Sequence, residues 1–165
     1  MPGPGRPPAG RFDDPAAVEA YLREHIPLSG PIGLRVLESG AACVRLEAPL
    51  EPNLNHTATA FGGSVAALAL LAGWTLVQAG LEREGLRART VIHETSIRYD
   101  APIESTFAAV CEAPDAEAWQ RFARTLRRHG RARIRVHVHV EAGGRVAATL
   151  EGAYVALAEG EGRRP

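Results

Sequence analysis

Along this chain the apolar positions change period several times, and each change marks an element. After Asp14, a natural N-cap followed by Pro15, the residues Val18, Tyr21, Leu22 and Ile26 recur at helical spacing until Pro27 closes the segment. Two strand-like runs follow at residues 32–39 and 42–48, split by Ser39-Gly40 as a turn. Residues 49–59 hold two prolines and read as a loop. From Phe61 to Leu81 there are 21 residues without a charge, which predicts a long helix reaching about Gly80, or continuing to Gly85. Residues 90–99 are β-branched and strand-like, and 107–111 form a shorter strand. Asp115 caps a helix whose Trp119, Phe122, Ala123 and Leu126 make one apolar stripe, stopped by Gly130. Residues 131–140 alternate strictly, with Ala132, Ile134, Val136, Val138 and Val140 on one side and Arg133, Arg135, His137 and His139 on the other. That is a half-buried antiparallel strand. Gly143-Gly144 then turns the chain into a last strand at 146–157.

This order predicts an α+β fold in which a curled antiparallel sheet of about six strands wraps around one long buried helix. The expected organisation is a Pro/Gly-rich disordered leader at residues 1–12, a single domain at 13–158 and a flexible tail at 159–165. One curled sheet leaves an edge and part of the helix uncovered, so a homodimer is expected, or a tetramer built from such dimers.

The uncharged run is long enough to span a bilayer. It opens with Gly62, Gly63 and Ser64, contains Gln78, is rich in Ala, and has no basic or aromatic flank. A helix buried inside a protein fits it better than a membrane span. Near the N-terminus no basic segment precedes an apolar one, so no signal peptide is read there. Cys43 and Cys111 lie far apart in apolar strands, outside any C-x-x-C, and read as reduced buried thiols. A cytoplasmic address follows.

Charge adds one constraint and one opening. The chain has 165 residues with 19 basic against 19 acidic, and every basic residue is Arg. Such a balance excludes a chain-wide grip on nucleic acid or on a membrane. Between Glu117 and Glu141, however, seven arginines occur with no acid. They form a solvated face, or else a patch in which Arg131 and Arg133 hold the phosphates of a ligand. His137 and His139 have metal-pair spacing, but no third ligand is evident and the adjacent arginines would repel a cation, so no metal is expected.

The candidate chemistry lies at residues 52–64, P-N-L-N-H-T-A-T-A-F-G-G-S. Asn53 and Asn55 are the only asparagines in the chain, and His56 follows them. The helix behind this loop starts with Gly62 and Gly63, whose free N–H groups can stabilise an oxyanion with no side chain in the way. Equally, the two Asn can satisfy turn backbone and the two Gly can allow tight helix–sheet packing.

These residues resemble a known family. Asn55, five intervening residues and F-G-G are similar to the N-x5-H-G-G signature of hotdog-fold acyl-CoA thioesterases. The fuller likeness, over roughly residues 20–142, is to the thioesterase family typified by the YiiD C-terminal domain. It rests on P-L-E-P-N-L-N-H-T-A-T-A-F-G-G-S, L-A-G-W at 71–74, I-R-Y-D-A-P-I at 97–103 and G-R-A-R-I at 130–134. The resemblance implies an acyl-CoA or acyl-carrier thioester as substrate and no further cofactor. It puts Asn55 at the signature position, where it would position water, and makes Gly62 and Gly63 the oxyanion turn. Two departures accompany it. Phe61 stands where many relatives have His, and Leu70 stands where others carry a carboxylate on the helix. His56, His93 or Glu94 would then have to activate water. Ser64 reads as a helix cap or, less readily, a nucleophile. Asn53, Phe61 and Trp74 are candidate substrate contacts, with core packing the alternative for Trp74. A non-catalytic acyl-binding module and an enoyl-thioester hydratase are the competing functions.

Overall fold

The computed structural model describes residues 10–159. Asp14 caps α1 (Pro15–His25), its carboxylate accepting the Ala16 N–H at 3.0 Å. β1 (Arg35–Glu38) and β2 (Cys43–Ala48) follow, and then α2 (Gly62–Arg83). β3 (Ala88–Tyr99) and β4 (Phe107–Glu112) lead into α3 (Ala116–His129), and β5 (Arg131–Ala142) and β6 (Arg145–Ala158) complete the chain. Every element expected from the sequence is present. β1 is shorter than expected, because Ile32 and Gly33 lie in the turn that precedes it. Gly130 ends α3 at φ 67°, a left-handed position that glycine adopts without strain.

All strand pairs are antiparallel, in the order β1-β2-β4-β5-β6-β3. The sheet curls around α2, and the fold is the hotdog fold. Eleven residues of α2, from Val65 to Leu81, are buried, so its apolar length serves as the core of the sheet's inner face. Two glycines set how closely it docks. A side chain at Gly73 would meet the Tyr154 hydroxyl at 2.6 Å, and one at Gly80 would overlap the Trp119 ring of α3. Tyr154 also donates from its hydroxyl to the Leu70 carbonyl at 2.7 Å, pinning the middle of α2 to β6.

The fold begins earlier than the leader boundary placed it. Phe12 is 2% exposed and packs edge-on to Trp74 and Tyr21, while the Arg11 and Phe12 N–H groups donate to the Glu82 carboxylate. Residues 11 and 12 therefore belong to the domain. Residues 1–9 of the expected leader and the tail beyond residue 159 lie outside the described residues.

β3 is an edge strand of 12 residues with a bulge between Ile92 and Glu94. Nine of those residues are exposed, Val91 and Ile92 among them. On α2 a half-buried stripe, Ala66, Ala67, Leu70 and Trp74, lies beside it.

Candidate active site at the start of the central helix

The two asparagines meet different fates. Asn53 is 2% exposed, and its Nδ2 donates to the carbonyls of Ile32 at 2.9 Å and Pro49 at 2.7 Å. Its main-chain carbonyl accepts the Phe61 N–H at 2.7 Å. It is a buried strut joining the β1 approach to the start of α2, so the substrate contact expected of it is not available in this conformation. Asn55 is half-buried. Its Oδ1 accepts from Thr57 N, Thr57 Oγ1 and Thr59 N, and its Nδ2 donates to Thr59 Oγ1 at 2.9 Å and more distantly to Ala60 O. This is an Asx turn that holds Ala58 at φ 59° and leaves the amide no free donor or acceptor for a water. His56 is exposed at the tip of the same loop.

Phe61 is the N-cap of α2, in an extended conformation (φ −64°, ψ 128°), and no side chain caps the helix. The Phe61 carbonyl accepts both Ser64 N at 3.0 Å and Val65 N at 3.1 Å. Ser64 is therefore inside the first turn and not the cap the sequence suggested. The Gly62 and Gly63 N–H groups find no acceptor among the described residues. The Phe61 ring, 56% exposed, lies directly over Gly63 in space that a side chain there would claim.

A second strand completes this corner. Tyr99, at the end of β3, donates from its hydroxyl to the Gly62 carbonyl at 2.8 Å, and burial raises its pKa, keeping it a donor at neutral pH. Tyr99 with Ala60, Gly62, Val65, Asp100, Ala101, Pro102 and Ile103 lines an open depression of ≈ 390 Å³. Asp100 is the acidic residue in that lining; Arg98 Nε holds its Oδ1 at 2.7 Å, and no described residue donates to Oδ2. Tyr99 and Asp100 are not among the candidates that the sequence offers for this corner. They lie in the I-R-Y-D-A-P-I run, but nothing in its spacing signals a return to a glycine 37 positions earlier.

The remaining candidates lie elsewhere in the protomer. Trp74 is about 16 Å along α2 from Gly63 at 1.5 Å per residue. There it stacks on Tyr21 with ring centroids 6.1 Å apart and donates to the Thr90 carbonyl. Arg131 pairs with Leu157, which pairs with Arg89, and the ten steps from Arg89 to Tyr99 are about 33 Å of strand. Arg133 lies in the next row on the same outer face, so neither arginine reaches the Gly62 corner of its own protomer. His93 falls in the β3 bulge, and Glu94 lies on the outer face, 3.7 Å from Arg135. His137 and His139 face Glu151 and Glu141, and no group of three metal-ligating side chains occurs among the described residues.

Comparison with known proteins places this corner in context. A family model described as "Putative thioesterase (yiiD_Cterm)" matches residues 15–158. A structure of a protein of unknown function from Chlorobaculum tepidum TLS is 28% identical, with a TM-score of 0.83, covering 90% of this chain and 99% of its own. A structure described as a putative thioesterase from Shewanella oneidensis is 25% identical, with a TM-score of 0.78, covering 87% and 96%. A Pseudomonas aeruginosa protein described as a probable thioesterase shares the fold at 22% identity and a TM-score of 0.77, covering 91% and 100%.

Proposed function

Because the chain belongs to the YiiD C-terminal putative thioesterase family, we propose that it hydrolyses an acyl thioester of coenzyme A or of an acyl-carrier protein at the start of α2. The observation that carries this reading is the pair of unengaged N–H groups at Gly62 and Gly63, with Gly62 in the wall of a depression that also holds the Asp100 carboxylate. The thioester oxygen sits against those N–H groups, where the helix dipole and two donors favour the negative charge that develops on attack. Water attacks the carbonyl carbon while Asp100 Oδ2 takes its proton. The tetrahedral intermediate then expels the thiolate, which recovers the proton, giving a carboxylic acid and a free thiol. Asp100 so fills the place left by Leu70 on the helix. Phe61 presents an apolar surface beside the reacting carbon, and the Asn55 turn holds the loop that shapes the entrance.

The same reading includes a cytoplasmic homodimer joined edge to edge through β3. The exposed Val91 and Ile92 and the half-buried α2 stripe support it. Antiparallel pairing of two β3 strands sets the Arg89–Arg131 end of one protomer beside the Tyr99 end of the other. That is how Arg131 and Arg133 would serve the phosphates of a thioester bound at the opposite subunit's Gly62, with Trp74 lining the acyl side. A second reading, an acyl-thioester binding module without turnover, is favoured by the saturation of Asn55.

Free-thiol release from a panel of acyl-CoA and acyl-carrier thioesters separates the two. Hydrolysis that is lost in Asp100→Asn supports the enzyme. Tight binding with no release at any chain length supports the binding module and overturns the enzyme.

A further inference from the structure

Tyr99 is the side chain from outside the loop and helix that touches the Gly62–Gly63 peptide, and we infer that it is a positioning residue for the Gly63 N–H. The inference rests on the reading above, in which that N–H meets the thioester oxygen. A trans peptide unit is planar, and no cis bond occurs in the described chain. The Gly62 carbonyl and the Gly63 N–H therefore share one rigid plane and point in opposite directions. A hydroxyl bonded to that carbonyl at 2.8 Å fixes the direction of the N–H on the other side. It also polarises the amide, which strengthens the N–H as a donor.

The restraint falls where the helix lacks its own. α2 has no side-chain cap, and its first two residues are glycines, the residue with most backbone freedom. The ring adds to the hydroxyl: a methyl group at Gly62 would lie 3.3 Å from Tyr99 Cζ, so the peptide has little room to tip toward β3. Because Tyr99 ends a strand 37 residues away in sequence, the start of α2 is registered to the sheet and not to its own loop alone.

Tyr99→Phe removes the hydroxyl and keeps the ring. The expected result is a fall in kcat of about tenfold, as for the loss of other outer-shell orienting bonds, with KM nearly unchanged. Binding of a non-hydrolysable acyl-CoA thioether should hold, while a trifluoromethyl ketone analogue, which presents an oxyanion, should weaken by the same factor as kcat. Amide NMR supplies a readout free of turnover: the Gly63 resonance should shift and its hydrogen exchange should quicken in the variant. Wild-type kcat in Tyr99→Phe, equal weakening of both analogues, or an unmoved Gly63 amide would each overturn the inference. An inactive wild type would sink the hydrolase reading instead, and the Gly63 amide then decides the role of Tyr99 by itself.

Discussion

The main-chain carbonyl of Asn53 accepts the Phe61 N–H at 2.7 Å, while its side chain, buried under the loop, ties that residue to the Ile32 and Pro49 carbonyls, so the N-cap of α2 hangs from a residue anchored by its amide. Replacing Asn53 with Ala leaves the Ile32 and Pro49 carbonyls without their donor. The expected cost is about 1–3 kcal/mol of stability, the usual penalty for orphaned buried polar groups. Thermal unfolding checks this, and an unchanged midpoint would contradict the strut role.

Gly80 touches the Trp119 ring, which leaves no room for a methyl group. Gly80→Ala should therefore destabilise by about 1–3 kcal/mol through overpacking, although Ala is the better helix former. Gly80→Ala combined with Trp119→Leu should recover part of that loss in denaturant titration. A stabilised single variant would show that α3 moves freely on α2.

Burial pushes the Cys111 thiol up to about 12 from an ordinary value near 9. A folded pKa above the unfolded one favours the native state fully below the unfolded value, and this contribution fades as pH climbs through the interval from 9 to 12. Denaturant midpoints should fall across that window, and less so in Cys111→Val. At neutral pH a thiol reagent should modify half-exposed Cys43 in the native protein and Cys111 only on unfolding.

Much of the fold was legible because single residues carried the signals. Asp14 and Asp115 cap their helices as expected, and the alternation from Ala132 to Val140 survives as a buried inner row on β5. Phe12 was misplaced because a Pro/Gly-rich stretch hides one apolar anchor whose partner, Glu82, is 70 residues away. The site was half legible for the same reason. Gly62 and Gly63 are a local pattern, whereas the Tyr99 bond to Gly62 depends on how β3 returns along α2. Asn53 and Asn55 share a motif, yet one is buried and the other ties an Asx turn. Burial depends on what packs over the loop, and spacing does not encode that.

Ile92, 42% exposed on the free edge of β3, lies in the centre of the proposed subunit contact. Ile92→Lys should convert a dimer to a monomer in sedimentation and lower thiol release, with thermal stability of the subunit little changed. A wild-type protein that sediments as a monomer would contradict the shared site.

Gly62→Pro tests the central claim most directly. Proline suits the first position of a helix, Phe61 already has the extended backbone that precedes proline, and the substitution removes one N–H of the proposed oxyanion site. Tyr99 must give by a few tenths of an ångström to admit the ring. With the helical content retained by circular dichroism, kcat/KM for acyl-CoA hydrolysis should fall about 100-fold, the scale of losing one oxyanion donor. Thiol release by a folded Gly62→Pro variant at the wild-type rate would contradict the account.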